Sequence, residues 1–394
     1  MDLTSNRIKQ LSYSQTFVMS NKARELSAQG INVISLTLGE PDFNIPEFVR
    51  ESAIKAINAG VKSYTPVPGY MELRQAIAKK FKRDNNLDYK PNQIIVSNGG
   101  KQAIMNALFA ILNDGDEVIV PAPYWVSYYE MVKLAGGTNV VVETTIDNDF
   151  KITPQQLEKA ISPKTKAFLF SSPCNPSGSV YSKEELHALA KVFAQHPNVL
   201  IISDEIYEYI NYVGKHESIA QFPEVFEQTA TINGVSKSHA MTGWRIGYMG
   251  APLWLTDACD KIQGQTTSAP NCIAQMAAIT AIEADPKVIN YMVEAFKNRR
   301  DMMFGLLSEI KGIKINKPAG AFYFFPDISA YFGKTIQGYE IKDSDDFALM
   351  LLDKAHVATV GGVSFGDPNC IRLSYAASEE ELRESAKRIK EVLK

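Results

Sequence analysis

From Gln93 onward, short runs of β-branched and other apolar residues alternate with stretches of helical periodicity, and this alternation limits the possible folds more than any other feature. Strands separated by helices form βαβ units, so we predict an α/β protein. Its sheet should be mostly parallel, with about seven strands and helices on both faces. The strand candidates are 93–97, 117–120, 139–142, 167–170, 199–203, 230–232 and 246–249, and the helix candidates between them are 101–112, 125–135, 154–161 and 183–195.

The segments on either side of this region show other patterns. Before it, the periodicity and the Gly and Pro positions predict helices over 20–29, 46–59 and 71–83 and a short strand over 33–38. After it, we predict a long helix over 286–307, short strands near 314, 322–325, 358 and 371–374, and a closing helix from 378. The chain is long enough for two domains. We expect a large domain over 46–284 and a small α+β domain formed by 1–45 and 285–394.

Charge and composition exclude several classes of function. The 41 basic and 44 acidic side chains leave a net charge of −3 with no long run of one sign, so nucleic acid and membranes are not expected partners. The first ten residues lack the apolar stretch of a secretory signal, and no segment approaches the ~20 apolar residues of a membrane span. We therefore expect a cytoplasmic protein. Its 4 cysteines and 5 histidines are scattered without ligand spacing, so no metal site and no disulfide is expected.

The stretch 233–247 places Lys237 among small residues, with Arg245 eight positions later. A lysine can form a Schiff base with a carbonyl only when its amine is neutral, which requires burial or cationic neighbours. Arg245 is such a neighbour, and its guanidinium fork also matches phosphate oxygens. An aldehyde cofactor that carries a phosphate, such as pyridoxal phosphate, would use both side chains. The alternative is that Lys237 is an ordinary solvated lysine.

Two further motifs follow predicted strands. Gly99 and Gly100 lie between a strand and a helix, where free backbone amides can bind an anion, although glycine pairs also occur in plain turns. Asp204 ends a buried strand, at the edge of a parallel sheet where ligands gather, and Tyr207 follows it. A carboxylate there can hold a pyridine nitrogen protonated. The alternative is a helix-capping aspartate followed by a packing tyrosine.

Three other positions are candidates for substrate or cofactor contacts. Trp125 follows a strand and could stack on a pyridine ring, or be a half-buried core tryptophan. Asn175 lies in the turn motif of residues 172–178. Arg372 alternates with apolar residues on a strand that we expect to be half-buried, and such an arginine normally has an anionic partner.

In this order, these motifs resemble those of class I aminotransferases of the fold-type I pyridoxal-phosphate family, and the resemblance covers nearly the whole chain. It is closest to the bacterial aspartate aminotransferases, some of which also use prephenate. The resemblance implies that Lys237 binds the cofactor covalently and that Asp204 contacts the ring nitrogen. It further implies roles in binding the cofactor's phosphate, 3′-oxygen or ring face for Gly99, Gly100, Lys101, Trp125, Asn175, Tyr207, Ser236 and Arg245.

The same resemblance implies how an amino acid substrate is held. Arg372 would bind the α-carboxylate, with Gly39, Asn175 and Trp125 beside it. Lys101, Ser14 and Thr16 would bind a distal carboxylate, which favours acidic substrates; the alternative for Lys101 is a contact with the cofactor phosphate alone. Relatives that use prephenate carry a basic residue where this chain has Ser12, so we expect poor turnover of prephenate.

The activity implied is ping-pong transamination of L-aspartate and 2-oxoglutarate to oxaloacetate and L-glutamate. The resemblance also implies a homodimer with shared sites, in which Tyr64 reaches the cofactor phosphate of the partner subunit. Three alternatives stay open: an aminotransferase for aromatic amino acids or prephenate, a C–S β-lyase on the same fold, and a regulator that retains the fold as a ligand sensor. The last is disfavoured because no helix-turn-helix segment is attached.

Overall fold

The computed structural model describes residues 3–394. Its strands are β1 (Ile34–Ser35), β2 (Ile94–Asn98), β3 (Glu117–Ala122), β4 (Thr138–Glu143), β5 (Thr165–Ser171), β6 (Leu200–Asp204), β7 (Thr229–Gly234), β8 (Ile246–Gly250), β9 (Tyr323–Phe324), β10 (Thr335–Ile336), β11 (Tyr339–Glu340), β12 (Val357–Ala358), β13 (Val360–Gly361) and β14 (Ile371–Ser374). Its α-helices are α1 (Asn6–Lys9), α2 (Gln15–Ala28), α3 (Glu47–Asn58), α4 (Met71–Lys80), α5 (Gly100–Ile111), α6 (Val126–Leu134), α7 (Pro154–Ala160), α8 (Lys183–Phe193), α9 (Pro223–Phe226), α10 (Leu253–Thr266), α11 (Cys272–Glu283), α12 (Asn290–Ser308), α13 (Ser344–Met350) and α14 (Glu379–Val392). None of the helices within residues 3–394 is long and apolar enough to cross a membrane.

Seven strands form the central sheet, in the order β2-β8-β7-β6-β5-β3-β4. Neighbouring strands run parallel except for β8, which is antiparallel to both β2 and β7. Parallel neighbours require long crossover connections, which the intervening helices supply. The prediction of a mostly parallel sheet is confirmed, and each of its predicted strands overlaps an observed one.

Both faces of this sheet are buried, because successive residues of one strand pack into different cores. Val118 and Val120 of β3 belong to a core with α5, α6 and α10, whereas Ile119 between them packs with α7 and α8 on the opposite face. At the β2 edge, a third core joins β2 and β8 to α3, α4 and α11. This explains why the central strands are continuous apolar runs rather than alternating ones.

A separate core collects the last third of the chain and a short N-terminal segment. It contains Phe296 of α12, Ile389 of α14 and the strands β9 and β14. Ile34 and Leu36 join this core because β1 pairs in parallel with β12. Ile34 and Leu36 therefore share a core with the last third of the chain, while the division into 46–284 and 1–45 with 285–394 stays a prediction.

Several predicted elements differ from the structure. The helix predicted over 20–29 begins at Gln15, the strand predicted over 33–38 pairs only at Ile34–Ser35, and the helix predicted over 71–83 is α-helical only to Lys80. Near residue 314 there is only a single bridge, between Lys314 and Asp327. Helices α10 and α11 were not predicted; α11 is apolar or small on nearly every side, so no helical period stands out. The expectation that β14 is half-buried is wrong, since all four of its residues are buried.

Candidate active site

A cavity of about 430 Å³ lies at the carboxyl ends of the parallel strands, facing the core of the last third of the chain. Pockets of open α/β sheets form at this edge, and the volume suits a small organic ligand. The cavity brings together residues that are far apart in sequence. Among the predicted site residues, it is lined by Ser14, Thr16, Gly39, Gly100, Lys101, Trp125, Asn175, Asp204, Tyr207, Ser236, Lys237, Arg245 and Arg372.

Two of the predicted residues do not line it. Gly99 lies immediately beside it as the residue before α5, and Tyr64 lies on the surface with its side chain fully exposed. A role for Tyr64 therefore depends on a second subunit.

Lys237 lies in the turn after β7, and its Nζ donates a hydrogen bond to the carbonyl oxygen of Gly39. Burial lowers the pKa of Lys237 to about 8; Glu40 opposes this effect, and the charges of Arg245 and Arg372 add to it. A solvated lysine would stay near its ordinary value. The structure therefore does not support the alternative of an ordinary surface lysine, and a substantial part of the amine is neutral at mildly alkaline pH.

Asp204 is the last residue of β6 and is only 6% exposed. Tyr128 donates a hydrogen bond to its Oδ2 at 2.6 Å, and the backbone N–H of Ile206 donates to Oδ1 at 3.2 Å. Burial raises the pKa of Asp204 to about 6, although the bond from Tyr128 opposes this. The chain continues as a turn and not as a helix, so the helix-cap alternative is wrong. A buried carboxylate without a cation bonded to it is well suited to a positive partner from a ligand.

Arg372 projects from β14 into the cavity and is 2% exposed. Its Nη1 donates to Oδ1 of Asn175 at 3.0 Å, and its Nη2 donates to the carbonyl oxygen of Thr37. Nε has no partner within the described chain. All bonded partners are neutral, so the guanidinium charge is uncompensated by any hydrogen-bonded carboxylate. Burial lowers the pKa of Arg372 accordingly, and an incoming carboxylate would relieve this cost.

The loop between β2 and α5 has the geometry that suits an anion. Gly99 has φ +84, and the first helical hydrogen bond runs from Gln102 N to Gly99 O, so the preceding amides of Gly100 and Lys101 are not used in the helix. A Cβ at Gly99 would collide with the guanidinium of Arg245, which donates to Asn98 O at 3.2 Å. This packing brings a fixed positive charge to a helix N-terminus, which favours a phosphate.

The entrance of the cavity is formed by Lys101, Trp125 and the start of α2. The amine of Lys101 lies 4.9 Å from the centre of the Trp125 ring, and partial burial with the charge of Arg245 lowers its pKa. Ser14 precedes α2 but makes no side-chain capping bond, so its hydroxyl is available to a ligand. Trp125 lines the cavity and also packs on the core around α6, so it is a half-buried core residue, and its stacking on a ring stays a prediction.

Two tyrosines of the site were missed by the sequence reasoning. Tyr128 is one helical turn after Trp125, so helical spacing could have placed it on the same side. Tyr323 lies on β9, and its hydroxyl is 2.7 Å from that of Tyr207. No local pattern distinguishes Tyr323 from its aromatic neighbours, and only the packing of the turn after β6 into the core of the last third of the chain reveals it.

A second group of ionisable residues lies below the turn that follows β6. Glu205, Glu208 and His216 are close enough for their side chains to share a metal ion. However, Lys80 forms an ion pair with Glu208, and Glu205 accepts hydrogen bonds from Ser203, Ser218 and His216. These partners already occupy the carboxylate oxygens, so we assign Glu205 and Glu208 a role in holding the turn and not in binding a metal.

Comparisons with known proteins agree with this geometry. The family model described as aminotransferase class I and II matches residues 31–389. The aspartate aminotransferase of Bacillus sp. (strain YM-2) is 47% identical over 395 residues, covering 100% of this chain and 100% of that protein. The aspartate/prephenate aminotransferase of Cereibacter sphaeroides is 48% identical over 392 residues, covering 99% of this chain and 98% of that protein.

Solved structures give the same result. The aspartate aminotransferase of Rhizobium meliloti superposes with a TM-score of 0.96 at 40% identity, covering 100% of this chain and 99% of that one. The Thermus thermophilus aspartate aminotransferase with maleate gives a TM-score of 0.94 at 43% identity, with both chains covered over 100%.

Proposed function

Because this chain belongs to the family of class I and II aminotransferases, we propose that it uses pyridoxal phosphate to transfer the amino group of L-aspartate to 2-oxoglutarate. The observation that carries the proposal is the shared cavity of Lys237, Asp204 and the start of α5. A reactive amine, a buried carboxylate and an anion site are the three features that this cofactor requires.

The residues present fit the cofactor at both of its ends. Gly100, Lys101 and Arg245 offer backbone amides and a guanidinium for the phosphate. At the other end, the carboxylate of Asp204 is buried with only neutral donors, so a protonated ring nitrogen would compensate its charge. Ser236 adds a hydroxyl beside Lys237, and Trp125 offers an aromatic face.

When bound, pyridoxal phosphate supplies an electron sink for the charge that develops at the substrate Cα. With the cofactor held in the cavity, the amine of Lys237 would take the proton from the substrate Cα as a general base and give it back as a general acid. Its lowered pKa suits both steps near neutral pH. The carboxylate of Asp204 would hold the ring nitrogen protonated, and the side chains of Tyr207 and Asn175 would offer hydrogen bonds to the ring oxygen.

Arg372 binds the α-carboxylate of the substrate through its guanidinium, and Asn175 fixes that guanidinium with a 3.0 Å bond. Gly39, which we expect beside the same carboxylate, lines the cavity as well. Lys101, with the hydroxyls of Ser14 and Thr16, binds the distal carboxylate at the entrance. One charged group at each end selects a dicarboxylic amino acid and its 2-oxo acid counterpart.

A single-turnover experiment tests this activity. The holoenzyme mixed with L-aspartate, without an acceptor, should convert its cofactor to pyridoxamine phosphate and release one equivalent of oxaloacetate. The same preparation mixed with a thioether amino acid distinguishes the lyase alternative. Release of pyruvate and ammonia with the cofactor unchanged would replace transamination by β-elimination.

We further propose that the protein is a homodimer whose sites are shared. In the single chain, Tyr64 is fully exposed and Arg245 is exposed although it lines the cavity, so a second subunit is needed to enclose the phosphate end. Mixing Tyr64→Ala and Lys237→Ala chains should restore up to about a quarter of the wild-type activity, because one hybrid site carries neither change. Full activity of a monomer in sedimentation would contradict this proposal.

A further inference from the structure

Tyr323 is the one tyrosine in a run of phenylalanines, Phe322, Phe324 and Phe325. Its side chain is fully buried. A buried phenol requires a hydrogen-bond partner, whereas a fourth phenylalanine would fill an apolar core without that requirement. The partner is the hydroxyl of Tyr207 at 2.7 Å. The hydroxyl of Tyr323 is therefore explained by Tyr207 rather than by core packing.

This hydrogen bond joins the two parts of the molecule. Tyr323 lies on β9, whereas Tyr207 lies in the turn after β6 of the central sheet, and both side chains are buried in the core of the last third of the chain. The ring of Tyr323 also lies 4.7 Å from the guanidinium carbon of Arg372. One side chain thus contacts the group proposed for the substrate carboxylate with its ring, and the group proposed for the cofactor oxygen with its hydroxyl.

The hydroxyl of Tyr323 fills the space where a side chain at position 39 would lie. A Cβ added to Gly39 would collide with the hydroxyl of Tyr323. The φ angle of Gly39 is not positive, so its backbone does not require glycine. The carbonyl of Gly39 is also the acceptor of the bond from Lys237. A glycine is needed here because Tyr323 occupies the space where a side chain would lie.

The direction of the hydrogen bond follows from proton counting. Burial raises the pKa of both phenols, so each carries one proton at neutral pH. If Tyr207 donates its proton to the cofactor ring oxygen, it cannot also donate to Tyr323. Tyr323 must then be the donor, and a bond donated to Tyr207 strengthens the bond that Tyr207 itself donates.

We propose that Tyr323 is a positioning residue, whose hydroxyl holds Tyr207 as a donor to the cofactor oxygen while its ring supports Arg372. The proposal rests on the proposed function. The two parts of this side chain should therefore have separate effects: the hydroxyl should affect the cofactor through Tyr207, and the ring should affect substrate binding through Arg372.

Tyr323→Phe removes the hydroxyl and keeps the ring. A weaker donor to the ring oxygen makes that oxygen more basic, so the pH midpoint at which the absorbance of the bound cofactor changes should rise by about half a unit to one unit. The value of kcat should fall a few-fold, and KM for L-aspartate should stay within about twofold, because the ring still supports Arg372. Tyr323→Leu removes the ring as well and should also raise KM by about tenfold.

The pH midpoint of the cofactor absorbance depends on every charge near these two hydroxyls, so none of the variants changes a charged residue. The charged and titratable groups around the pair are Glu40, Asp204, Lys237 and Arg372. A matched control is Tyr375→Phe. Tyr375 is equally buried in the same core, and its hydroxyl bonds to Tyr212 and to Ala321 O, away from the cavity. The Tyr375→Phe variant should have a lower free energy of unfolding, and the pH midpoint of its cofactor absorbance should equal that of the wild type.

A double-variant cycle adds a second test. Gly39→Ala should displace the hydroxyl of Tyr323 and raise the midpoint, whereas Gly39→Ala combined with Tyr323→Phe should shift it by less than the sum of the two. A midpoint unchanged in Tyr323→Phe, or raised equally in Tyr375→Phe, would overturn the inference. Wild-type protein that binds no pyridoxal phosphate would instead overturn the proposed function.

Discussion

The floor and the entrance of the cavity are built in different ways. The floor consists of side chains carried by strands, such as Asp204 at the end of β6 and Arg372 within β14, which are buried and held by hydrogen bonds to other residues of the chain. The entrance consists of Lys101, Ser14 and Phe17, and Phe17 is 59% exposed. Fixed, desolvated groups serve a chemical step common to all substrates, whereas a solvated rim can distinguish one substrate from another.

Substitutions should separate these two regions. A change on the floor should lower turnover of every substrate, and a change at the entrance should lower it for some substrates only.

The largest effect is expected for Lys237→Ala, which removes the base and the covalent attachment together. Activity should fall by roughly five orders of magnitude or more, as expected when a nucleophile is removed. Pyridoxal phosphate should still bind, without the absorbance of a lysine-linked carbonyl.

Lys151→Ala is the matched control, because Lys151 is a partly buried lysine that pairs with Glu185 away from the cavity. It should retain normal activity. Normal transamination by Lys237→Ala would remove the basis for the whole site assignment.

The lowered pKa of Lys237 also predicts a pH dependence of stability in the apoprotein. The unfolded chain holds the lysine proton up to its ordinary pKa, whereas the folded chain releases it near pH 8. The unfolded state therefore binds more protons between these values, and stability should rise with pH across that window. Below about pH 8 the full cost of the buried charge is present. Denaturant unfolding should show Lys237→Met to be more stable than wild type at pH 7, with a smaller difference at pH 10.

Asp204→Ala is expected to have the second largest effect. Loss of an electrostatic contribution of ~3–5 kcal/mol corresponds to about two to four orders of magnitude in kcat, with part of the cofactor affinity retained. The comparison variant Tyr128→Phe keeps the carboxylate and removes only its 2.6 Å hydrogen bond, so its loss should be much smaller. A merely twofold loss in Asp204→Ala would mean that its charge does not serve catalysis.

The part of the floor around Asp204 could be predicted from the sequence because its residues lie at the ends of strands or in the turns that follow them. Asp204 ends an apolar run that can only be a buried strand, and the next turn must face the same edge of the sheet as the turns carrying Asn175 and Lys237. The resemblance then supplied the roles. The order of the motifs along the chain was sufficient, because a parallel sheet converts that order into proximity.

The remaining parts depend on contacts between distant segments. Tyr323 meets Tyr207 only because the turn after β6 packs into the core of the last third of the chain, and α11 has no polar face to mark its period. The entrance is similar: residues before α2 reach the cavity because Lys133 bonds to Gln10 O, and Ser12 N donates to Glu130. Single exposed polar contacts of this kind leave no pattern in the sequence.

Lys101→Ala tests the entrance directly. Removing one charge-assisted contact should lower kcat/KM for L-aspartate and L-glutamate by about tenfold to a hundredfold. Turnover of L-phenylalanine should stay nearly unchanged, since it has no distal carboxylate. An equal loss for all three substrates would assign Lys101 to the cofactor phosphate and would move it from the entrance to the floor.

The smallest effect concerns Ser12, which faces the cavity that adjoins the entrance. Wild-type protein should turn over prephenate poorly, because a hydroxyl cannot replace a charge opposite a carboxylate. Ser12→Lys should raise kcat/KM for prephenate by less than about tenfold, since Glu130, which accepts the backbone N–H of Ser12 at 3.1 Å, would partly neutralise the new ammonium. Combining it with Glu130→Gln should therefore give a larger gain than Ser12→Lys alone, while L-aspartate turnover changes little in either variant. Efficient prephenate turnover by the wild type would show that another group of the entrance already supplies the charge, and would place substrate choice elsewhere than at position 12.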